Sequence, residues 1–276
     1  MKSFIAKLLH LGLFVMLGSL LTSCQPTQEK KMEIEKTPEI EKILETLKDK
    51  NVNEANDQGA TPLMFACAVG NTDLVKALLL LGADVNKQAV DGTTALILAS
   101  HGAMPLGMEG SDDNQVKDLL KEKEKNLLEI VKLLISQGAN VNARNQMGIT
   151  PLLASVQGMP VEKKHELALA AEWMNNSSEF YNQMIEAWNA ITPDHRDISV
   201  ALIKAGADVN AQNYNGATAL MYAVENNNEK MVEILLKAGA DVTLKTEQGY
   251  DALDIAQKLG KTNIIELLKP AADVKN

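Results

Sequence analysis

The sequence predicts an all-α repeat array, and three observations support that fold class. Similar segments recur along the 276 residues at a spacing of 33 residues, with two longer intervals of 56 and 68 residues among them. Apolar residues inside each segment follow the spacing of short helices. Aromatic residues make up only 4% of the chain, so a core must consist of aliphatic side chains and methionine. A fixed period of this length indicates one cooperative stack rather than several domains.

Composition and charge exclude several classes of function. Lys and Arg total 27 against 36 Asp and Glu, which gives a formal charge of −9. The only such residues in 1–23 are Lys2 and Lys7, so a chain without that stretch would carry −11. This balance argues against binding to nucleic acid or to an anionic membrane surface. The two cysteines, Cys24 and Cys67, are too few for a multi-disulfide scaffold or a four-cysteine zinc site.

Residues 1–23 have the organisation of a secretory signal peptide. Lys2 and Lys7 are followed by an apolar run from Leu8 to Leu21, which is shorter than the about 20 residues of a membrane-spanning helix. The segment ends in Leu21-Thr22-Ser23-Cys24, which resembles the lipobox of bacterial lipoproteins. That resemblance implies cleavage before Cys24, acylation of its thiol and stable membrane anchoring. An uncleaved anchor or an ordinary signal peptide is the alternative.

Gln25 directly follows the cysteine. In Gram-negative lipoproteins, Asp at that position is the usual signal for retention in the inner membrane. The resemblance therefore implies an outer-membrane lipoprotein that faces the periplasm. Residues 24–36 are interpreted as the lipidated cysteine and a flexible polar tether. The folded domain is predicted at 37–272, with 273–276 as a short tail.

Two motifs define the repeat. The first begins at a glycine and is fullest as Gly59-Ala-Thr-Pro-Leu63; it returns at Gly92, Gly148, Gly216 and Gly249. The second reads Gly-Ala-Asp-Val-Asn in its fullest form, with glycines at Gly82, Gly138, Gly206 and Gly239. This pattern resembles the ankyrin-repeat family. The resemblance implies five helix–turn–helix repeats from about residue 55, joined by short hairpin fingers, after a half-repeat cap at 37–54.

Each motif position has a physical role. A threonine two residues after each of the first four glycines can cap the first helix, and Asp251 can cap the fifth. Pro62 and Pro151 fit the first helical position. The glycines of the second motif can end the second helix in a left-handed conformation. The final helix is expected to end at Leu268, before Pro270.

Two insertions account for the longer intervals. Aligning both motifs places them at about 104–126 and 160–194, between the first and second helices of the second and third repeats. They are expected to emerge side by side as a helical wing. The first insertion is predicted to extend the second helix of its repeat. The second insertion carries four of the eight aromatic residues that follow Cys24: Trp173, Phe180, Tyr181 and Trp188.

Residues that could carry chemistry are scattered. No glycine-rich loop carries a phosphate-binding lysine, and His101, His165 and His195 form no metal-ligand motif. Cys67 stands where the repeat needs a small buried residue, so we expect a buried thiol. The sequence therefore predicts no enzyme, no metal, no cofactor and no small-molecule substrate.

A protein partner is the predicted ligand. The family resemblance implies a concave binding side made of first helices and finger tips. The first-helix candidates are Phe65, Leu98, Ala154, Tyr222 and Ile255, and the finger-tip candidates are Val90, Met147 and Tyr214. Neighbouring side chains covering Leu98 and Ile255 would be the simpler explanation of those positions. Trp173, Phe180, Tyr181 and Trp188 are candidate contacts in the wing, where packing within the wing is the alternative.

The predicted function is therefore non-catalytic protein binding by a module that a lipid on Cys24 anchors to the bacterial cell envelope. One alternative is an immunity or inhibitor lipoprotein that neutralises a secreted toxin or lipase by capturing it through the wing. Such a protein would present an acidic face with an apolar centre. The alternative from another class is an enzyme with its site in the wing, which would need polar side chains converging in a pocket.

Overall fold

A computed structural model describes residues 32–102, 113–157 and 195–273. The chain divides into two units, residues 1–33 and residues 34–276. Met32 and Glu33 are the described residues of the first unit, so the predictions for the signal peptide and for Cys24 lie outside the described residues. Within the described residues, no helix is both long enough and apolar enough to cross a membrane.

The described part of the second unit is built from helices in two layers. One layer contains the first helix of each repeat: α2 (Pro62–Val69), α4 (Ala95–His101), α6 (Pro151–Gln157), α8 (Ala219–Glu225) and α10 (Ala252–Lys258). The other layer contains α1 (Pro38–Leu47), α3 (Thr72–Leu80), α5 (Asp113–Ser136), α7 (Arg196–Lys204), α9 (Glu229–Lys237) and α11 (Thr262–Asp273). Helix α1 packs against α3, so the N-terminal segment contributes a second-layer helix only. The predicted all-α repeat solenoid is confirmed.

The helices begin where the capping residues predict. In the first four repeats, the threonine hydroxyl accepts a hydrogen bond from the backbone N–H three residues later, at 3.2–3.3 Å. Asp251 caps α10 by accepting from the N–H groups of Leu253 and Asp254. Thr37 caps α1 in the same way. These bonds satisfy backbone donors that a helix start leaves unpaired, and they fix the register of each repeat.

The core runs through all the repeats as one cluster of buried aliphatic side chains. Alanines on the first helices, such as Ala66 and Ala223, are fully buried and let neighbouring helices approach closely. Cys67 is also buried, as predicted, and burial raises the pKa of its thiol far above the usual value. The neutral thiol therefore acts as a small apolar side chain.

A ladder of asparagine side chains joins successive repeats on the side where the second helices end. Each amide donates to the carbonyl of the next repeat's helix-ending glycine at 2.9–3.3 Å. Its oxygen accepts from the backbone N–H two residues beyond that glycine at 2.7–2.8 Å. The four residues of this asparagine ladder are Asn53, Asn86, Asn142 and Asn210.

The asparagine ladder is not interrupted by either insertion. Asn86 bonds to Gly138 and Asn142 bonds to Gly206, across the two long intervals, with the same geometry as elsewhere. The described residues before the two insertions end at Gly102 and Gln157, just after or at the end of the neighbouring helices α4 and α6. The described stack therefore continues in register across both intervals, and the side-by-side emergence of the insertions as a wing stays a prediction.

The lengths of helices α5 and α11 test two predictions from the sequence. Helix α5 is continuous from Asp113 to Ser136, which confirms the predicted extension of the second helix. Helix α11 continues through Pro270 to Asp273, so the predicted end at Leu268 was wrong. Proline removes one N–H donor, but the turn that follows it can still form at a helix end. Residues 160–194, with their predicted helices, lie outside the described residues.

Replacing Asn142 with Ala is expected to lower the free energy of unfolding by about 1–2 kcal/mol, because two hydrogen bonds between repeats are lost. Thr243 is the matched control, since it holds the equivalent position after helix α9 of the fourth repeat, where its hydroxyl donates to Asp241 in the same loop. Its change to Ala should cost about 0.5 kcal/mol or less. Urea unfolding of both variants checks this, and equal losses would contradict a role in joining repeats.

Candidate protein-binding surface

The predicted surface residues fall into two groups by exposure. Val90, Met147 and Tyr214 at the finger tips expose 65%, 52% and 65% of their surface. Phe65 on helix α2 exposes 62%. The remaining candidates, Leu98, Tyr222 and Ile255, are half-buried and pack against the core. Large apolar side chains that remain this exposed are typical anchors for protein partners.

Ala154 does not continue the row. Its side chain is fully buried, so the expectation that it is exposed on the first helix of the third repeat was wrong. Helix α6 lies between α4 and α8 and packs against both. Because an alanine side chain ends at Cβ, it does not reach beyond these neighbours. The third repeat therefore contributes to the surface through its finger rather than through its first helix.

The fingers are shaped by an internal asparagine. Asn56, Asn145 and Asn213 each accept hydrogen bonds from the N–H groups two and four residues later, at 2.9–3.0 Å. Asn213 also donates from Nδ2 to the hydroxyl of Tyr222 at 2.8 Å. This bond fixes the tyrosine between helix α8 and its own finger. Tyr222 therefore has a structural contact in addition to any contact with a partner.

Successive fingers are connected through their backbones. The N–H of Val90 donates to the carbonyl of Gln58 at 2.9 Å, and the N–H of Gln146 donates to the carbonyl of Asp91 at 2.7 Å. The N–H groups of Tyr214 and Glu247 likewise donate to the carbonyls of Met147 and Asn215, at 3.1 and 2.9 Å. The finger tips are therefore held in one row by direct hydrogen bonds.

We define the finger-tip strip as the two residues before each repeat glycine. Its members are Asp57, Gln58, Val90, Asp91, Gln146, Met147, Tyr214, Asn215, Glu247 and Gln248, and all ten are exposed. The three apolar residues occupy the three middle fingers. Three members are acidic and none is basic. The strip thus has an apolar centre, with Asp57 and Glu247 in the two outer fingers and Asp91 beside Val90 in the second finger.

Tyr250 is an exposed aromatic residue that the sequence analysis missed. It exposes 40% of its surface, and Lys258 Nζ lies 4.8 Å from its ring centroid. The equivalent residues in the other repeats are Ala60, Thr93, Ile149 and Ala217, so the repeat pattern gave no reason to expect an aromatic ring. A Cβ at the neighbouring Gly249 would meet no atom within 4 Å, so this side of the fifth finger is open.

The described residues contain little that could support catalysis. Across 32–102, 113–157 and 195–273, no group of three His, Cys, Asp or Glu side chains is placed to hold a metal ion. The buried Cys67 is held in its neutral form, which is a poor nucleophile. The wing candidates Trp173, Phe180, Tyr181 and Trp188 lie outside the described residues, so their roles stay predictions.

Fold and surface together define an α-helical repeat protein with one continuous exposed row. A sequence profile described as "Ankyrin repeats (3 copies)" matches residues 35–106 and 170–276, and one described as "Ankyrin repeat" matches residues 91–146. The chain belongs to the ankyrin-repeat family. Proteins of this family are generally protein-interaction modules rather than enzymes, so ankyrin repeats here imply a protein partner.

Individual relatives share the repeat array. Ankyrin repeat and SAM domain-containing protein 6 of Rattus norvegicus is 38% identical over 102 residues, or 36% of this chain and 9% of that protein. Alpha-latrocrustotoxin-Lt1a of Latrodectus tredecimguttatus is 26% identical over 209 residues, which are 68% and 14% of the two chains. An ankyrin repeat protein of variola virus is 26% identical over 168 residues, which are 56% and 29%. The chain thus spans less than a third of each of these relatives.

Proposed function

We propose that this protein is a lipid-anchored protein-binding module of the bacterial cell envelope. Its contact surface would be formed by Phe65, the finger-tip strip and the half-buried residues Leu98, Tyr222 and Ile255. The observation that carries this proposal is the exposure of Phe65, Val90, Met147 and Tyr214 on a stack whose repeats are joined by two sets of hydrogen bonds. A rigid scaffold lowers the entropy lost on binding, which favours recognition by such a surface.

The proposed anchor is the lipidated thiol of Cys24. Support comes from the sequence: a charged start, a short apolar run and Leu21-Thr22-Ser23 directly before the cysteine. The polar residues 25–36 would then separate the repeats from the membrane. Because Gln25 follows the cysteine, we place the protein at the outer membrane, facing the periplasm of a Gram-negative cell.

Changing Phe65 and Tyr214 together to Ala should remove most partner capture by residues 25–276 in envelope extracts. Each large exposed side chain that anchors a partner contributes about 1–2 kcal/mol or more. Glu233→Gln is the control, because Glu233 lies on helix α9 in the layer of second helices and is not part of the proposed surface. Its carboxylate has an ion pair with Lys237 at 3.5 Å. Quantitative mass spectrometry of the captured proteins checks this. Undiminished capture by the double variant would argue against this surface.

Cys24→Ala should leave the repeats folded but abolish lipid attachment, because the thiol is the acylation point of the motif. Metabolic labelling with a radioactive fatty acid measures lipid attachment, and membrane fractionation measures the resulting membrane association. Circular dichroism of the variant provides the folding control. Label retained on the Ala variant would show that the lipobox interpretation is wrong.

A second candidate is an immunity or inhibitor protein that neutralises a basic secreted toxin or lipase. The observation that favours it is the finger-tip strip, which has the acidic ends and apolar centre expected of such a face. Charge of one sign around an apolar centre speeds the association of an oppositely charged partner. In this form both candidates use the same surface and differ only in what binding does to the partner, whereas capture through the wing would involve residues outside the described part of the chain.

A further inference from the structure

We propose that the finger-tip strip binds a single amphipathic α-helix of the partner, with basic residues beside an apolar stripe. The inference rests on the proposed function and adds the chemistry of the occupant. Three features of the strip support it: the state of its backbone groups, the spacing of its apolar residues and the distribution of its charges.

The backbone of the strip is engaged within the protein. The N–H groups of Val90, Gln146, Tyr214 and Glu247 all donate to the preceding finger, and the carbonyls that accept them belong to the strip as well. A partner strand added along a sheet edge needs free N–H and C=O groups. Along the middle of the strip such pairing is blocked, so the occupant is recognised through side chains.

One apolar strip residue stands in each of the three middle fingers. Neighbouring packed helices lie about 8–10 Å apart, so successive fingers repeat at about that distance. An α-helix rises 1.5 Å per residue, and seven residues, or two turns, cover about 10 Å on the same face. Val90, Met147 and Tyr214 therefore match a helix of about 15 residues that presents an apolar side chain at every seventh position.

The charges of the finger-tip strip determine which residues the bound helix should carry beside its apolar stripe. Asp57, Asp91 and Glu247 are exposed, and no Lys or Arg occupies the strip. The ion pairs found among the described residues include none of these three carboxylates. An acidic helix would meet like charges at both ends of the strip, whereas Lys or Arg at the ends of the occupant would be attracted. The occupant is therefore cationic.

Binding of synthetic peptides to the full chain in detergent tests this, with fluorescence anisotropy as the readout. The probe peptide carries Leu at three positions spaced by seven, with Lys at both ends. We expect saturable binding that weakens as salt rises. A peptide with Glu in place of Lys should bind at least about tenfold more weakly. A third peptide has Leu at every third position, a spacing that would match the fingers if the peptide were extended. It should also bind more weakly than the probe peptide.

Chain variants assign the binding to the strip. A triple variant with Val90→Ala, Met147→Ala and Tyr214→Ala should bind the probe peptide at least about tenfold more weakly. Combined Asp57→Asn and Glu247→Gln should reduce the salt dependence, and Glu233→Gln should change nothing. Absence of saturable binding, equal binding of the Glu peptide or tighter binding of the extended-chain peptide would each overturn the inference. If Phe65 and Tyr214 still control capture of the native partner in that case, the proposed function stands and only the helical occupant fails.

Discussion

Gly216→Val is expected to destabilise the protein by about 3 kcal/mol or more, because two separate costs combine. The first is conformational: Gly216 has a φ of +75°, where a β-branched residue is strained. The second is steric. A Cβ at this position would lie 2.8 Å from the carbonyl oxygen of Lys245 and 2.9 Å from Cα of Thr246, both in the backbone of the next finger. The fourth and fifth fingers would have to separate.

The fifth repeat supplies a matched control for this change. Gly249 holds the same position, with a φ of +83°, but a Cβ there would meet no atom within 4 Å. Gly249→Val should therefore cost only the conformational strain, about 1–3 kcal/mol. Urea unfolding of both variants gives the difference. Equal losses would show that close approach of the fingers contributes nothing.

Leu235→Ala should lower the free energy of unfolding by about 2–5 kcal/mol, since it leaves a cavity in the core between layers. Leu235 is fully buried in helix α9. Leu259, which exposes 47% of its surface at the end of helix α10, is the control; its change to Ala should cost about 0.5 kcal/mol or less. Calorimetry and urea unfolding measure both variants.

The location of the damage is also predicted. Each repeat contacts only its neighbours, so a weakened fourth repeat should open while repeats nearer the N-terminus stay closed. Hydrogen exchange should therefore rise in helices α8 to α11 of the Leu235→Ala variant more than in α2 and α4. Uniform exchange across all helices would contradict nearest-neighbour coupling.

Local features of the fold were predictable because they depend on nearby residues. A capping threonine needs only the N–H three residues later, and both partners stand together in the sequence. The asparagine ladder was not predicted, although its residues belong to the second motif. Asn142 bonds to Gly206 across 64 positions, so its role becomes visible only when repeats stack. Thr243 stands where the fourth repeat would carry the next ladder asparagine, and this replacement was the readable signal that the ladder stops at Asn210.

Exposure at the candidate surface was predictable only in part. Phe65, Leu98 and Ala154 hold equivalent repeat positions, yet they are exposed, half-buried and fully buried, respectively. The repeat register gives the direction of a side chain, whereas exposure depends on its length and on its neighbours in adjacent repeats. The finger tips were easier to predict, because residues at a tip have few neighbours. The acidic ends of the strip, Asp57 and Glu247, are 190 positions apart in the sequence, so they belong to one surface only because the repeats stack.

Site-specific photo-crosslinking in cells tests the central claim most directly, because it reports which face contacts the partner. A photoreactive amino acid is placed in turn at Phe65 and Tyr214 on the proposed surface, and at Glu233 on helix α9. The proposal predicts one shared protein adduct from positions 65 and 214 and none from position 233. A further variant carries the photoreactive residue at Trp188 in the second insertion. Adducts from position 233 alone, or from position 188 without any from positions 65 and 214, would contradict the proposal.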